Sequence, residues 1–592
     1  MKYPTAAQLK PMIGAAVAPL QYIGAVNSLR SLISASWSSL KSREPIGRHF
    51  LLQSWQGLGS REAIIMDGER VSFEQLYLRV LRLTQVFQGL GIKPGDSVAV
   101  LLHNEVAWFE IMAATMVMGI KMPMINWHLN ASETAQCLIL SNASVLILGD
   151  AFVEKIESVS SQLEHIHHKL VVSNSPVKSG NFQDYNRLVE NAIATLANGG
   201  FSFSPKPFSG GTTGLPKFIN LETSVTAKPN RRQPPLADFL QLALKQAATI
   251  NYFGLEKIND PYTRNIRSVI PGPLYHTGVL VGVIPLFFGG SVVPMKKFDP
   301  EEFLAIIERE RINWCFVAPT MLERIINLPS SIQHKYDLSS MRTLLCSAAP
   351  CPVHVKKATN ALFRAQGNPY DVFHEFYGGS EIGCISILAP SDYADNEKLY
   401  ASVGKVRSAQ CKIYNKETGT WAKTGETGNV LVRSPQVFRL SFSGYTDAEM
   451  ETCFVEVDGQ FWYDDGLFGY LDSDNFLYLT SREKEMIISG GVNIYPNEIE
   501  SILKQHPAVQ DATVVRAPHK DLGEIPAAVL KLKGTDQPTN AALLAFCKEK
   551  GLYGFKLPKH FEWVDEFPRD AAGKVRKKQI ENALWEGIES VG

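Results

Sequence analysis

From about residue 46 onward, short apolar runs of strand character alternate with longer stretches of helical spacing. The runs SVAVLLH (97–103), SVLILG (144–149), WCFVAP (314–319) and TLLCSA (343–348) are too short for helices and apolar enough to be buried on both faces. Helical stretches such as EEFLAIIERERI (301–312) separate some of them. A helix between two strands returns the chain to the same edge of a sheet, so the strands run parallel. The expected fold is α/β, with a large N-terminal domain of parallel or mixed sheets flanked by helices. No repeat of 20–50 residues is present, which excludes a solenoid.

Near the C-terminus the pattern changes. EIESILKQH (498–506) reads as a helix, and ATVVRA (512–517) and AAVLKLK (527–533) read as strands. This predicts a separate, small α+β domain. LTSREKE (479–485) reads as a short charged connection into it, and NRRQPPL (230–236) as a loop. The expected division is an extension at 1–45, a large domain at 46–483 and a small domain at 484–592.

Composition narrows the function. The 592 residues carry 59 Lys+Arg against 59 Asp+Glu, a formal net charge of zero. A nucleic-acid binder needs a basic surface, so that class is set aside. Apolar residues make up 45% and charged residues 20%, a globular balance. Eight cysteines are scattered from Cys137 to Cys547 with no CxxC pair, which argues against a disulfide framework or a zinc ribbon. A reducing compartment, the cytoplasm, fits best.

Residues 11–29 carry no charge, but two prolines and two glycines make them a poor membrane span. Tyr22, Val26, Leu29, Ile33, Trp37 and Leu40 recur at helical spacing with polar residues between them. That is an amphipathic helix, expected to pack on the main body. The alternative is a peripheral membrane contact through residues 11–40, with only Lys2, Lys10, Arg30 and Lys41 nearby to attract anionic lipid.

Four segments carry chemistry. FSGGTTGLPK (208–217) packs three glycines and three hydroxyl residues into Ser209–Gly214, followed by Lys217. Free backbone N–H groups in such a loop can wrap phosphate oxygens, and a lysine can neutralise them. It is not a Walker A loop, because Pro216 and Phe218 flank Lys217. EFYGGSEIG (375–383) brings together an aromatic ring at Tyr377, a hydroxyl at Ser380 and a carboxylate at Glu381. Tyr377 suits a purine face, and Glu381 suits a hard cation. Read alone, this segment is equally a strand end with a helix cap. The third segment is SREKEMIISGGVNIYPNEIE (481–500). The fourth, LPKHFEWVDEFPRDAAGKVRKK (557–578), puts Lys574 in a turn after Gly573; alone, its basic run reads as a solvated face.

In this order and spacing, the four segments resemble the adenylate-forming superfamily: acyl-CoA synthetases, peptide-synthetase adenylation domains and firefly luciferase. The resemblance covers residue 46 to the C-terminus, and LYHTG (274–278), SAAP (347–350) and GETGNVLVRSP (425–435) agree with it. It implies joining a carboxylic acid to ATP as an acyl-adenylate, with Mg²⁺, and transfer of the acyl group to coenzyme A. Carried over by motif, Ser209, Gly210, Gly211, Thr212, Thr213, Gly214 and Lys217 would hold the phosphates. Glu381, with Thr212, would hold the metal. Ser347, Ala348, Ala349, Tyr377, Gly378, Gly379 and Ser380 would form the adenine slot. Lys574 would sit between carboxylate and α-phosphate, and His276 would border the acyl pocket. Arg482 would reach the ribose, and Gly490 and Gly491 would let pantetheine pass. The small domain would be mobile, pivoting at Lys484.

The chain departs from the pattern in places. A Thr-Gly-Asp triplet, whose Asp holds the ribose, usually precedes the GYLD-like segment; here the text is YDDGLFGYLD (463–472), and Leu467 stands in that place. Either a shifted loop lets Asp465 substitute, or the ribose loses a charged acceptor. Phe218 replaces a common glycine, Gly210 a common serine and Ser380 a common threonine. The apolar stretch LYHTGVLVGVIPLFFGG (274–290) suggests a hydrophobic acid, although core packing accounts for it equally well. No carrier-protein domain follows residue 592, which favours a diffusing acceptor. The competing readings are an acyl-AMP ligase for a carrier protein, a β-lactone synthetase, and a weakly active or non-catalytic nucleotide-binding homologue. Neither the acid nor the oligomeric state is fixed by the sequence.

Overall fold

The structure is a computed structural model. It describes residues 34–35, 38–39, 45–173, 175, 181–203, 205–209, 217–221, 242, 245, 253, 266–276, 281–349, 351–437, 440–443, 451–482, 485–489, 492–520, 522–569 and 575–586. The four apolar runs form strands at Val98–Leu101, Val145–Gly149, Trp314–Val317 and Thr343–Cys346, every residue buried. The predicted helix spans Pro300–Glu310, opened by Asp299, whose carboxylate caps the Glu302 amide.

The largest sheet has nine strands. Its centre is parallel, in the order Phe373–Gly379, Thr343–Cys346, Trp314–Val317, Arg267–Ile270, Ser291–Pro294, Glu62–Met66. Antiparallel neighbours flank it: Gly383–Leu388 and Lys405–Val406 on one side, Glu69–Ser72 on the other. A second, parallel sheet runs Val98–Leu101, Val145–Gly149, His168–Val172, Gln183–Asp184. Parallel bridges at Ser97–Lys121 and Val100–Met124 extend it on the other side of Val98–Leu101 toward Met122–Pro123. The winding direction therefore reverses between Val98–Leu101 and Val145–Gly149. Helix Val106–Met118 is buried all round except at its first residue. It packs against helix Phe73–Gly89 in the largest apolar cluster, with Trp55, Phe73 and Trp108 at its centre.

A six-stranded antiparallel sheet follows, built on Gln410–Asn415, Gly428–Arg433, Gln460–Leu471 and Leu477–Arg482. The segment expected to be a charged connection is thus strand as far as Arg482, because it pairs with Leu467–Leu471. From Ile487 the chain builds its own five-stranded sheet, with the long hairpin Val509–His519 and Gly523–Leu532 at its centre and helices Pro496–Leu503, Asn540–Glu549 and Lys577–Trp585. Of the N-terminal helix only residues 34–35 and 38–39 are described. They are helical, Ala35 is fully buried, and the Gln53 amide donates to the Ser38 hydroxyl at 3.1 Å, so this stretch packs on the body. Loop 230–236 lies outside the described residues.

Candidate active site

Parallel strands end with their carbonyls on one side, and ligand crevices form there. In the nine-stranded sheet those ends deliver four stretches to one cleft, three of them predicted as site segments. Arg267–Ile270 runs into Tyr275 and His276, and Trp314–Val317 into Ala318–Thr320. Thr343–Cys346 leads to Ser347–Ala349, and Phe373–Gly379 to Ser380 and Glu381. The Ser347 amide donates to the Val317 carbonyl at 3.2 Å, and Ala348 takes a left-handed φ of 78°, which turns the chain sharply at this wall. The turn bearing Ser380 and Glu381 joins two antiparallel strands, and the Ser434 hydroxyl pins it by donating to the Ile382 carbonyl at 2.6 Å. Read alone as a strand end with a helix cap, this segment proves to be the strand end only.

The opposite wall comes from the six-stranded sheet. There the register slips: Asn429 pairs with Phe468 but Leu431 with Asp464, so residues 465–467 bulge out against Val430 alone. The bulge directs Asp465 at the cleft, where its carboxylate accepts the Tyr377 hydroxyl at 2.5 Å. Burial, then the Asp465 charge, pushes the Tyr377 phenol well above its usual range. Tyr463 is raised too, by burial first and then by Glu381 and Asp465, so both carboxylates lie in one corner. Leu467 lines the cleft as well and packs on the apolar cluster that includes Ile382, Val430 and Leu477.

The phosphate loop is closed at its base. Ser209 and Lys217 are antiparallel partners in the hairpin of Phe208–Ser209 with Lys217–Leu221, and Phe208 lines the cleft. Gly210, Gly211, Thr212, Thr213 and Gly214 lie outside the described residues, as do Lys484, Gly490, Gly491 and Lys574. For Arg482 the strand is described and the side chain is not. Val575 and Arg576, directly after Lys574, line the cleft from the small sheet's side. In the basic run at 576–578, Arg576 and Lys578 are exposed, as a solvated face would be, and Lys577 differs. Lys577 is partly buried between Glu485 at 3.0 Å and Glu500 at 2.7 Å; desolvation lowers its pKa, but these two charges outweigh it and raise the pKa overall.

One group of residues was missed in the sequence. At the reversal point of the second sheet, His103 leaves Val98–Leu101 with its ring 4.8 Å from Trp127 and 4.7 Å from Phe152. Trp127 also meets Tyr275 at 6.0 Å, and Lys155 donates to the carbonyls of Trp127 and Leu129 at 2.9 and 2.7 Å. Burial holds both His103 and His128 below the usual imidazole range. Burial, aided by Asp150, pushes Glu105 up to about 7. His103, Glu105, Trp127, His128 and Tyr275 line the same cleft. The signal lay in HNE (103–105), polar residues directly after an apolar run.

Among the described residues no group of three or more metal-binding side chains occurs. A Mg²⁺ ion takes only one or two carboxylates and leaves its remaining positions to phosphate and water, and Glu381 is a carboxylate that lines the cleft.

The family model for AMP-binding enzymes matches residues 51–442, and that for the AMP-binding enzyme C-terminal domain matches 498–574. A medium/long-chain-fatty-acid–CoA ligase of Mycobacterium tuberculosis is 28% identical, over 91% of this chain and 90% of that protein. A 2-succinylbenzoate–CoA ligase of Bacillus subtilis is 27% identical, over 90% of this chain and 98% of its own. Among solved structures, o-succinylbenzoate CoA synthetase from Bacillus subtilis, in complex with its acyl-adenylate intermediate, superposes with a TM-score of 0.68 at 25% identity. That match covers 90% of this chain and 97% of that one.

Proposed function

This chain belongs to the AMP-binding enzyme family, and on that premise we propose how its cleft carries out the ligation. The enzyme is an AMP-forming acid–thiol ligase: ATP activates a carboxylic acid as an acyl-adenylate, and coenzyme A then takes the acyl group. In the first step the carboxylate oxygen attacks the α-phosphorus and pyrophosphate leaves. In the second the CoA sulfur attacks the acyl carbon and AMP leaves. Both partners of the first step are anions, so the site must supply positive charge and alignment more than bond-making side chains.

In our reading the loop at 209–214 and Lys217 hold the β- and γ-phosphates. Adenine enters between Tyr377 and the small residues Ser347–Ala349, above Gly378, Gly379 and Ser380. Asp465, turned into the cleft by its bulge and oriented by the Tyr377 hydroxyl, takes the ribose in place of the residue that Leu467 replaces, with Arg482 beside it. Glu381 and Thr212 hold Mg²⁺, which when bound spreads the phosphate charge. Lys574 stabilises charge between carboxylate and α-phosphate. His276 borders the acyl pocket, whose apolar lining from Phe253, Val281 and Ile284 favours a hydrophobic acid. The large domain at 46–483 and the small domain at 484–592 turn about Lys484, which brings Gly490 and Gly491 to the cleft for the thiol step. The eight free cysteines suit a reducing cytoplasm. No helix among the described residues is long and apolar enough to cross a membrane.

The observation that carries this reading is convergence. Phe208, Ser347–Ala349, Tyr377–Glu381 and Asp465, far apart in sequence, line one cleft that Val575 and Arg576 border beside Lys574. The test is carboxylate-dependent pyrophosphate exchange across acids of increasing length, then thioester formation on adding CoA. Lys574→Ala should lower exchange by about 100- to 1000-fold with an unchanged melting temperature. ATP binding with no exchange for any acid would leave a non-catalytic homologue instead.

A further inference from the structure

The bulge that brings Asp465 to the cleft is held by a side chain from a neighbouring hairpin. Asp464 is the last residue paired before the bulge: it faces Leu431, and its amide donates to the Cys453 carbonyl at 3.0 Å. One oxygen of its carboxylate accepts the Gly466 amide at 2.9 Å, which closes a turn around Asp465. The other oxygen meets the Lys416 ammonium at 2.7 Å. Both oxygens are thus engaged, on a side chain that is only 10% exposed.

Lys416 itself sits in a braced turn, between strands Gln410–Asn415 and Thr420–Trp421. The Asn415 carboxamide oxygen accepts the amides of Glu417 and Thr418 at 2.9 and 3.1 Å, and the Asn415 carbonyl accepts the Gly419 amide at 2.9 Å. Lys416, Asp464, Asp465 and Glu381 all line the cleft. Asp464 and Asp465 place two successive carboxylates there, and a largely buried carboxylate is costly without a cation beside it. Lys416 offsets the first and leaves the second to the cleft. Its pairing also fixes which way the Asp464 carboxylate turns, and therefore the turn that the other oxygen closes.

The geometry points to Lys416 as a positioning residue for the nucleotide: through Asp464 it locks the bulge that presents Asp465 to the ribose hydroxyls. The inference rests on the reading of Asp465 as the ribose acceptor. Lys416 acts on that acceptor and not on the reacting atoms, so its loss weakens nucleotide binding and leaves the chemical step alone.

The test is pyrophosphate exchange with ATP and with 2′,3′-dideoxy-ATP, which lacks both ribose hydroxyls. Lys416→Met should raise the KM for ATP by about three- to ten-fold, the worth of a partly exposed ion pair. Its kcat should stay within about two-fold of the parent, and its preference for ATP over the dideoxy nucleotide should shrink. The Lys416 side chain is 39% exposed, so the variant should melt with the parent. Lys416→Arg should recover most of the affinity and the preference. Added to Asp465→Asn, Lys416→Met should change the KM by less than about two-fold, because nothing is left to position. An unchanged KM, a fall in kcat alone, an unchanged preference between the two nucleotides, or a full additive effect on Asp465→Asn overturns the role of Lys416. Asp465→Asn alone separates the two levels. If it keeps both the KM and the preference, the underlying ribose reading falls; if it loses them while Lys416→Met keeps them, only the role of Lys416 falls.

Discussion

Asp465 reaches the cleft because Gly466, beside it, adopts a φ of 66°, a conformation that side chains disfavour, and the Asp464 carboxylate accepts the Gly466 amide at 2.9 Å. The sequence left two outcomes open for the ribose site, and the bulge favours the one in which Asp465 substitutes. Losing a charged hydrogen bond costs about 1.5–3 kcal/mol. Asp465→Asn should therefore raise the KM for ATP by roughly 10- to 150-fold, measured in the exchange assay. Adding Leu467→Asp should not restore it. Leu467 packs on the apolar cluster that includes Ile382, Val430 and Leu477, so a carboxylate there loses that packing, and the variant should melt earlier.

At the level of elements, the hairpin that presents Ser380 and Glu381 depends on close backbone approach. A Cβ on Gly378 would fall on the Gly383 carbonyl oxygen and the Cys384 backbone, where the register between the two strands shifts. Gly378→Ala should destabilise the protein by about 1–3 kcal/mol and displace Glu381, so exchange falls along with the melting temperature. Saturating Mg²⁺ should not rescue it, because the carboxylate is misplaced rather than underoccupied. The strand Phe373–Gly379 is held from behind by a fully buried ion pair between Glu375 and Lys356, whose ammonium also donates to the Ser402 carbonyl at 3.1 Å. Breaking such a pair strands a charge in the core, so this element has little freedom to adapt to substitutions in the adjacent turn.

For the whole molecule, one cleft must serve two reactions, and the proposed answer is rotation about Lys484. Lys484→Pro removes a backbone N–H and fixes φ near about −65°. Thioester formation should then fall by more than about ten-fold while pyrophosphate exchange keeps most of its rate; equal losses in the two assays would remove the pivot from residue 484. The strands Val98–Leu101, Val145–Gly149, Trp314–Val317 and Thr343–Cys346 and the helix at Pro300–Glu310 were legible because a run of apolar side chains, or their helical spacing, is a local property. The segments around Thr212, Tyr377, Glu381 and Lys574, whose roles are proposed, stand out in the sequence because such chemistry needs particular residue types next to one another. Tertiary structure alone decided that a bulge brings Asp465 to the cleft, that Lys577 sits between two carboxylates, and that His103 gathers with Trp127 and Phe152 at a reversal point. Each of these depends on strand register or on segments tens to hundreds of residues apart meeting in space, and burial and charge there are set by neighbours that no stretch of chain contains by itself.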